Sequence, residues 1–141
     1  MIFWKQAHGA LTHFPIALVM ASIAFDLAGV MVPDSADKSR RAGLRAAGFY
    51  TLILGALSSF GAVASGLVIS HGEIWGRGNL ARHHTLLWPA FGLVIALAFW
   101  RLMVGNRASN HAFKVYLVAS ALAGAVMGTA GYWGGELLLN G

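Results

Sequence analysis

Four long apolar segments constrain this chain more than any other feature of its sequence. They run over residues 12–32, 46–70, 84–104 and 115–139. Each reaches the length of about 20 residues that a helix needs to cross the hydrocarbon core of a bilayer. None alternates between apolar and polar residues as a half-buried strand does. The segments therefore predict an all-α integral membrane protein, a four-helix up-down bundle in a single transmembrane domain over residues 1–141.

The composition supports this prediction and limits the chemistry. The chain is 57% hydrophobic and 11% charged, whereas soluble domains carry about 25% charged residues. It contains no cysteine, which excludes disulfides, thiolate metal sites, cysteine-ligated iron–sulfur clusters and c-type haem attachment. A cofactor must therefore use histidine, methionine or carboxylate ligands.

Basic residues are divided unequally between the loops. Seven lie on one side of the predicted membrane: Lys38, Arg40, Arg41, Arg45, Arg101, Arg107 and Lys114. Three lie on the other: Lys5, Arg77 and Arg82. The positive-inside rule places the seven in the cytoplasm, so both termini are expected in the periplasm of a bacterial inner (plasma) membrane. The same charge order argues against a cleaved signal peptide. The basic residues do not interleave with aromatic residues as in a nucleic-acid groove, so nucleic acid is not an expected partner.

Histidines concentrate at the predicted outer face. Five of the six map there: His8, His13, His71, His83 and His84. Imidazole is not among the side chains that anchor helices at membrane interfaces. Histidines from separate helices of a bundle can instead supply the neutral nitrogen ligands that a metal or a haem requires. The pattern therefore predicts a cofactor site near one membrane face.

Bundle geometry selects ligand pairs from this set. The first and third helices of an up-down bundle face each other diagonally, so His13 and His84 are the predicted axial ligands of a haem b. His8 and His71 form a second, shallower pair. His83 lies about 100° from its neighbour on a helix, and we expect it to face solvent or to support a ligand imidazole.

Two carboxylates lie within predicted helices. Glu136 lies at histidine depth, where it can orient a ligand imidazole by accepting its second N–H, or can equally pair with Arg77 or Arg82. Asp26 is an ionisable residue inside the first helix and is a functional candidate by default. Neutralisation by Arg101 or Arg45 is the favoured interpretation of Asp26.

The leading hypothesis is a b-type haem protein that carries electrons between the quinol pool and a periplasmic electron-transfer protein. Two alternatives stay open. One is a copper or zinc site with ligands from His8, His13, His71, His83 and Glu73; the other is a cofactor-free membrane subunit or interaction module. Ser58, Ser59 and Ser65 are expected to lie far from the outer histidines, so an electron-transfer protein is favoured over a catalyst. The G-x-x-x-G spacing of Gly124 and Gly128 allows a homo-oligomer, or equally internal packing.

Five short stretches resemble a known family. They are "HGALTHFPIAL", "FDLAGV", "ASGLV", "HTLLWP" and "GYWGGELL", and together they resemble the DUF2231 family of small four-helix bacterial membrane proteins. The resemblance covers nearly the whole chain and implies the fold and the topology. The family pattern falls on His8, His13, Pro15, Asp26, Gly66, His84, Gly135 and Glu136.

Overall fold

The chain folds into four long helices joined by short connections. The computed structural model describes residues 2–33 and 38–140, and its helices are α1 (Ile2–Met31), α2 (Lys38–Ile69), α3 (Asn79–Val104) and α4 (Asn110–Asn140). A short 3-10 turn, Gly105–Arg107, follows α3. Neither described range contains a strand. Each helix is long and apolar enough to cross a membrane, so the prediction of an all-α four-helix membrane bundle is confirmed.

The helices begin earlier than the apolar segments. The expected starts at residues 12, 46, 84 and 115 followed hydropathy alone, whereas helical hydrogen bonding continues through the polar residues at the membrane surface. In α2 the additional turns carry Lys38 and Arg40. As a consequence, Lys5 and His8 lie inside α1, where their direction is set by helix geometry.

Neighbouring helices run antiparallel around the bundle. The closest packing is within the pairs α1–α2 and α3–α4, and the contacts of α1 with α4 and of α2 with α3 close the ring. His8 near the start of α1 bonds Ser65 near the end of α2. His83 near the start of α3 bonds Ala130 near the end of α4. Helices α1 and α3 therefore run parallel to each other across the diagonal of the bundle.

The two ends of the bundle differ in chemistry. We call the end that contains His8, His83 and His84 the histidine end, and the end that contains Asp26 and Arg101 the arginine end. The layer between them is apolar and closely packed, with Val19, Leu52, Val94 and Ala123 at most 1% exposed. Large apolar side chains on the outer helix faces are exposed: Phe14, Leu57, Phe99 and Val118 are examples. A bilayer covers such faces.

The connection between α2 and α3 begins with a helix cap. The N–H of Gly72 donates to the carbonyl of Leu67 at 2.8 Å, and the N–H of His71 donates to that of Val68 at 3.3 Å. His71 has a positive φ of 54°. These features define a Schellman motif with His71 in the left-handed position. The backbone of His71 therefore ends α2, and its side chain is exposed.

Candidate functional site

A cavity of about 260 Å³ lies at the histidine end, between all four helices. Its walls are largely apolar and include Leu67 and Leu87, and three imidazoles line it, those of His8, His83 and His84. A second cavity of about 60 Å³ shares His83 and Leu87 with the first and extends toward the middle of the bundle. An apolar cavity with a few convergent polar groups is the expected form of a ligand site.

The imidazole of His8 is held by α2. Its Nδ1 lies 2.8 Å from Ser65 Oγ, so the expectation that Ser65 lies far from the outer histidines is wrong. The Ser65 hydroxyl donates its own proton to the carbonyl of Ala62 at 2.9 Å, so its oxygen is left to accept. We therefore assign the proton of neutral His8 to Nδ1, which leaves the lone pair on Nε2. Gly66 makes the close approach possible, because a Cβ at this position would lie 3.1 Å from His8 Cε1.

The imidazole of His83 is held in the same way by α4. Its Nδ1 lies 2.8 Å from the carbonyl oxygen of Ala130. A carbonyl oxygen only accepts, so Nδ1 donates and the lone pair is again on Nε2. A Cβ added to Gly134 would lie 3.1 Å from His83 Cε1. His83 and His8 line the same cavity from the diagonal helices α3 and α1. The expectation that His83 faces solvent is wrong, because its ring packs between α3 and α4.

His84 is the most deeply buried of the three imidazoles. It is 4% exposed, and its Nδ1 has no hydrogen-bond partner among the described residues. Its ring centroid lies 5.6 Å from that of His83 and 6.1 Å from that of Trp88. The indole N–H of Trp88 donates to the carbonyl of Ile74, 2.8 Å away. His84 and His83 line the same cavity although they are adjacent in sequence, and residues of all four helices contribute to its walls.

The structure does not place His13 in the cavity. His13 is exposed, and its Nδ1 donates to the carbonyl of Gly9 in the preceding turn of the same helix. The reason is angular, because five residues separate His13 from His8 and turn the helix by about 140°. The geometry expected for His13 and His84, two imidazoles facing each other across the core, is therefore wrong.

The other site candidates lie around the cavity. His71 caps α2 with its side chain exposed, so it is not brought to His8. Glu136 is half-buried in α4 and lies beside the lining residues Gly134 and Leu137. Glu73 is exposed in the connection between α2 and α3. Within residues 2–33 and 38–140, no group of three or more histidine, aspartate or glutamate side chains is arranged to hold a metal ion.

The arginine end contains a buried ion pair. Asp26 is fully buried, and Arg101 donates to both of its carboxylate oxygens, at 2.6 and 3.0 Å. The phenol of Tyr116 donates to Asp26 Oδ2 at 3.1 Å. Arg101 also donates to the backbone carbonyl of Arg45 at 2.9 Å. Of the two cations expected to neutralise Asp26, Arg101 makes the bond, and it connects the diagonal helices α1 and α3.

Close packing and a π-contact surround this ion pair. Gly48 lies directly against the carboxylate, and a Cβ there would come within 2.5 Å of Asp26 Oδ1. The carbonyl of Gly48 accepts a hydrogen bond from Ser22 Oγ at 2.7 Å. The guanidinium of Arg45 lies 4.3 Å from the centre of the Phe113 ring. Asp26, Arg101 and Tyr116 are bonded to one another, whereas Arg45 Nε is buried with no hydrogen-bond partner among the described residues. The bonded side chains join α1, α3 and α4 at this end.

Comparison with known proteins supports the membrane assignment. The family model DUF2231, described as a predicted membrane protein, matches residues 5–140. This match confirms the resemblance seen in the sequence. Neither the curated proteins nor the solved structures that were compared with the chain gave a match.

Proposed function

This chain belongs to the DUF2231 family of membrane proteins, and we propose that its histidine end binds haem b between His8 of α1 and His83 of α3. The proposed function is electron transfer, for which a haem held by these two imidazoles would supply a one-electron redox couple. The excess of basic residues at the arginine end supports the proposal that the histidine end lies in the periplasmic leaflet. Quinol and a periplasmic electron-transfer protein are the proposed partners.

One observation carries this proposal: two imidazoles on diagonal helices each donate Nδ1–H to an oxygen of a neighbouring helix. Ser65 Oγ accepts from His8 and the Ala130 carbonyl from His83. Metal-binding histidines usually have such a bond, which fixes the ring and leaves Nε2 for the metal. The Nδ1 of His84 has no such partner in the part of the chain that the structure describes. We therefore assign the ligands to His8 and His83 in place of His13 and His84.

The ligand set favours haem over a copper or zinc ion. Zinc sites use three or four protein ligands, and the described residues contain no group of three suitable side chains. A haem with two axial imidazoles needs only two. The cavity of about 260 Å³ is smaller than the 300–1,000 Å³ typical of ligand pockets. Binding of a macrocycle therefore requires the helix ends to separate at the histidine end.

Absorption spectroscopy of histidine variants tests the ligand assignment. The protein purified in detergent is expected to show a Soret band that shifts on reduction with dithionite. His8→Ala and His83→Ala are expected to lose this band, because each removes one axial nitrogen. His13→Ala and His111→Ala are matched controls at exposed positions and should retain it. A colourless wild-type protein after expression with excess haem contradicts the proposal, and loss of the band in His13→Ala contradicts the ligand assignment.

A glycine on α4 gives a second test that leaves every histidine in place. Gly134→Val puts side-chain atoms where His83 packs, 3.1 Å from its Cε1 already at the Cβ, and is expected to reduce the haem content of the purified protein at least tenfold. Gly128→Val on the same helix is the control, because a Cβ there meets nothing within 4 Å. The measurement is haem per protein from the pyridine haemochrome spectrum. Equal haem content in Gly134→Val and Gly128→Val would mean that haem binding does not depend on the position of the His83 ring.

A further inference from the structure

Arg45 is a partly buried cation at the arginine end. Its aliphatic stem packs against α1, where a Cβ added to Gly29 would lie 3.4 Å from Arg45 Cγ. Its guanidinium lies 4.3 Å from the centre of the Phe113 ring of α4. No described residue accepts a hydrogen bond from this guanidinium or forms an ion pair with it, and its Nε is buried. Arg45 is therefore held in place by its packing while its charge is uncompensated.

The neighbouring carboxylate does not neutralise Arg45. Asp26 accepts two hydrogen bonds from Arg101 and one from Tyr116. The guanidinium of Arg101 also lies near the Phe113 ring, 5.2 Å from its centre. Two guanidinium groups therefore border one ring, and the carboxylate is bonded to one of them. A charge that is partly removed from water is stabilised by an opposite charge, so the position of Arg45 favours a further anion.

The level of Arg45 in the bundle indicates which anion can reach it. Gly29, beside Arg45, lies two residues before Met31, whose apolar side chain is 80% exposed. Met103, near the end of α3, is 68% exposed. Exposed apolar side chains on both helices place this level at the edge of the hydrocarbon core. An arginine there extends its guanidinium outward to the lipid head groups, where the phosphates lie.

We infer that Arg45 binds the phosphate of an anionic phospholipid in the leaflet around the arginine end, a site that does not depend on haem binding at the other end. Its two terminal Nη groups can donate hydrogen bonds to two phosphate oxygens, a geometry to which arginine is suited. Lys38 lies seven residues earlier on the same face of α2 and is exposed, so it adds positive charge closer to the membrane surface. The sequence assigns seven basic residues to this end against Asp26, Asp34 and Asp37, and this excess favours an anionic lipid over a zwitterionic one.

Lipid titration of the purified protein tests this site. Native mass spectrometry of the protein in detergent gives the dissociation constant of the first bound lipid, for anionic phosphatidylglycerol and for zwitterionic phosphatidylcholine. Arg45→Gln is expected to weaken binding of phosphatidylglycerol about tenfold, the size of one charge-assisted hydrogen bond, and to leave binding of phosphatidylcholine unchanged. Arg45→Lys keeps the charge and should recover most of the affinity.

Arg82 at the histidine end provides the matched control. It is exposed, and its guanidinium lies 5.1 Å from the centre of the Trp133 ring. Arg82→Gln therefore also removes a charge that borders an aromatic ring, and it is expected to bind phosphatidylglycerol as the wild type does.

Four results would overturn the assignment. Binding of phosphatidylglycerol by Arg45→Gln as tight as in the wild type would exclude Arg45 as the site. An equal loss for both lipids would mean that Arg45 acts through helix packing. An equal loss in Arg82→Gln would mean that total charge determines the affinity. Displacement of the lipid from the wild type by inorganic phosphate at constant ionic strength would identify free phosphate as the ligand. A loss confined to Arg45→Gln and to phosphatidylglycerol supports the lipid site.

Discussion

Replacing Arg101 with methionine is expected to lower the free energy of unfolding by about 3 to 5 kcal/mol, the usual cost of leaving a buried charge without its partner. Asp26 is fully buried, and Arg101 donates to both of its oxygens. Arg101 and Tyr116 both donate to the carboxylate, so in this variant the Tyr116 hydroxyl is the one of the two that remains. The measurement is unfolding in detergent micelles, titrated with SDS and followed by circular dichroism.

Two further variants show whether the loss comes from the ion pair. Arg107→Met removes an exposed charge from the same end of the bundle and is expected to change the free energy of unfolding by less than about 0.5 kcal/mol. The double variant Asp26→Leu with Arg101→Met removes both charges, and replacing a buried ion pair by apolar residues is often neutral. We expect it to recover most of the loss. A single variant Arg101→Met as stable as Arg107→Met would show that the pair contributes nothing to the fold.

Gly48→Ala is expected to destabilise the protein by about 1 to 3 kcal/mol, the range found when a well-packed core receives an extra methyl group. The new Cβ would lie 2.5 Å from Asp26 Oδ1 and 2.7 Å from its Cγ. The carboxylate cannot move aside without weakening its bonds to Arg101 and Tyr116. The variant therefore damages the ion pair without changing any charge. The same SDS titration measures the effect.

Gly43 provides the matched control for this substitution. It lies in the same helix, five residues earlier, and a Cβ there meets nothing within 4 Å. Gly43→Ala is expected to leave the stability unchanged or to raise it, because alanine has a better helix propensity than glycine by about 1 kcal/mol. Equal effects of the two alanines would mean that contact with Asp26 does not determine the requirement for glycine at position 48.

Hydropathy was sufficient to predict the number and the type of the helices, because each apolar segment is as long as a bilayer is thick. The position of Asp26 near the inner end of its helix also limited its expected cationic partner to Arg101 or Arg45, whereas its bond to Tyr116 was not predicted. The choice between Arg101 and Arg45 depends on which side chain enters the core. Helix α3 points Arg101 at the carboxylate, whereas Arg45 packs over Phe113. That difference arises from how the helices pack, and the amino-acid sequence alone does not show it.

The histidines show what spacing alone can and cannot provide. Eighteen residues separate His8 from Asp26, and eighteen separate His83 from Arg101, which corresponds to five full helical turns. Residues 18 apart lie on the same face of a helix, so this interval puts His8 on the face of Asp26 and His83 on the face of Arg101. His13 does not lie on the face of Asp26, and the interval would have excluded it. The bonds to Ser65 and Ala130 could not have been predicted, because they depend on how α2 and α4 are placed beside these faces.

The diagonal ion pair also has a consequence for how the protein is made. Arg101 follows Asp26 by 75 residues, so a ribosome completes the first two spans before the cation exists. An aspartate without its partner opposes transfer of a helix into lipid. We expect the first span to remain beside the insertion machinery until the third arrives, so that the two leave for the bilayer together.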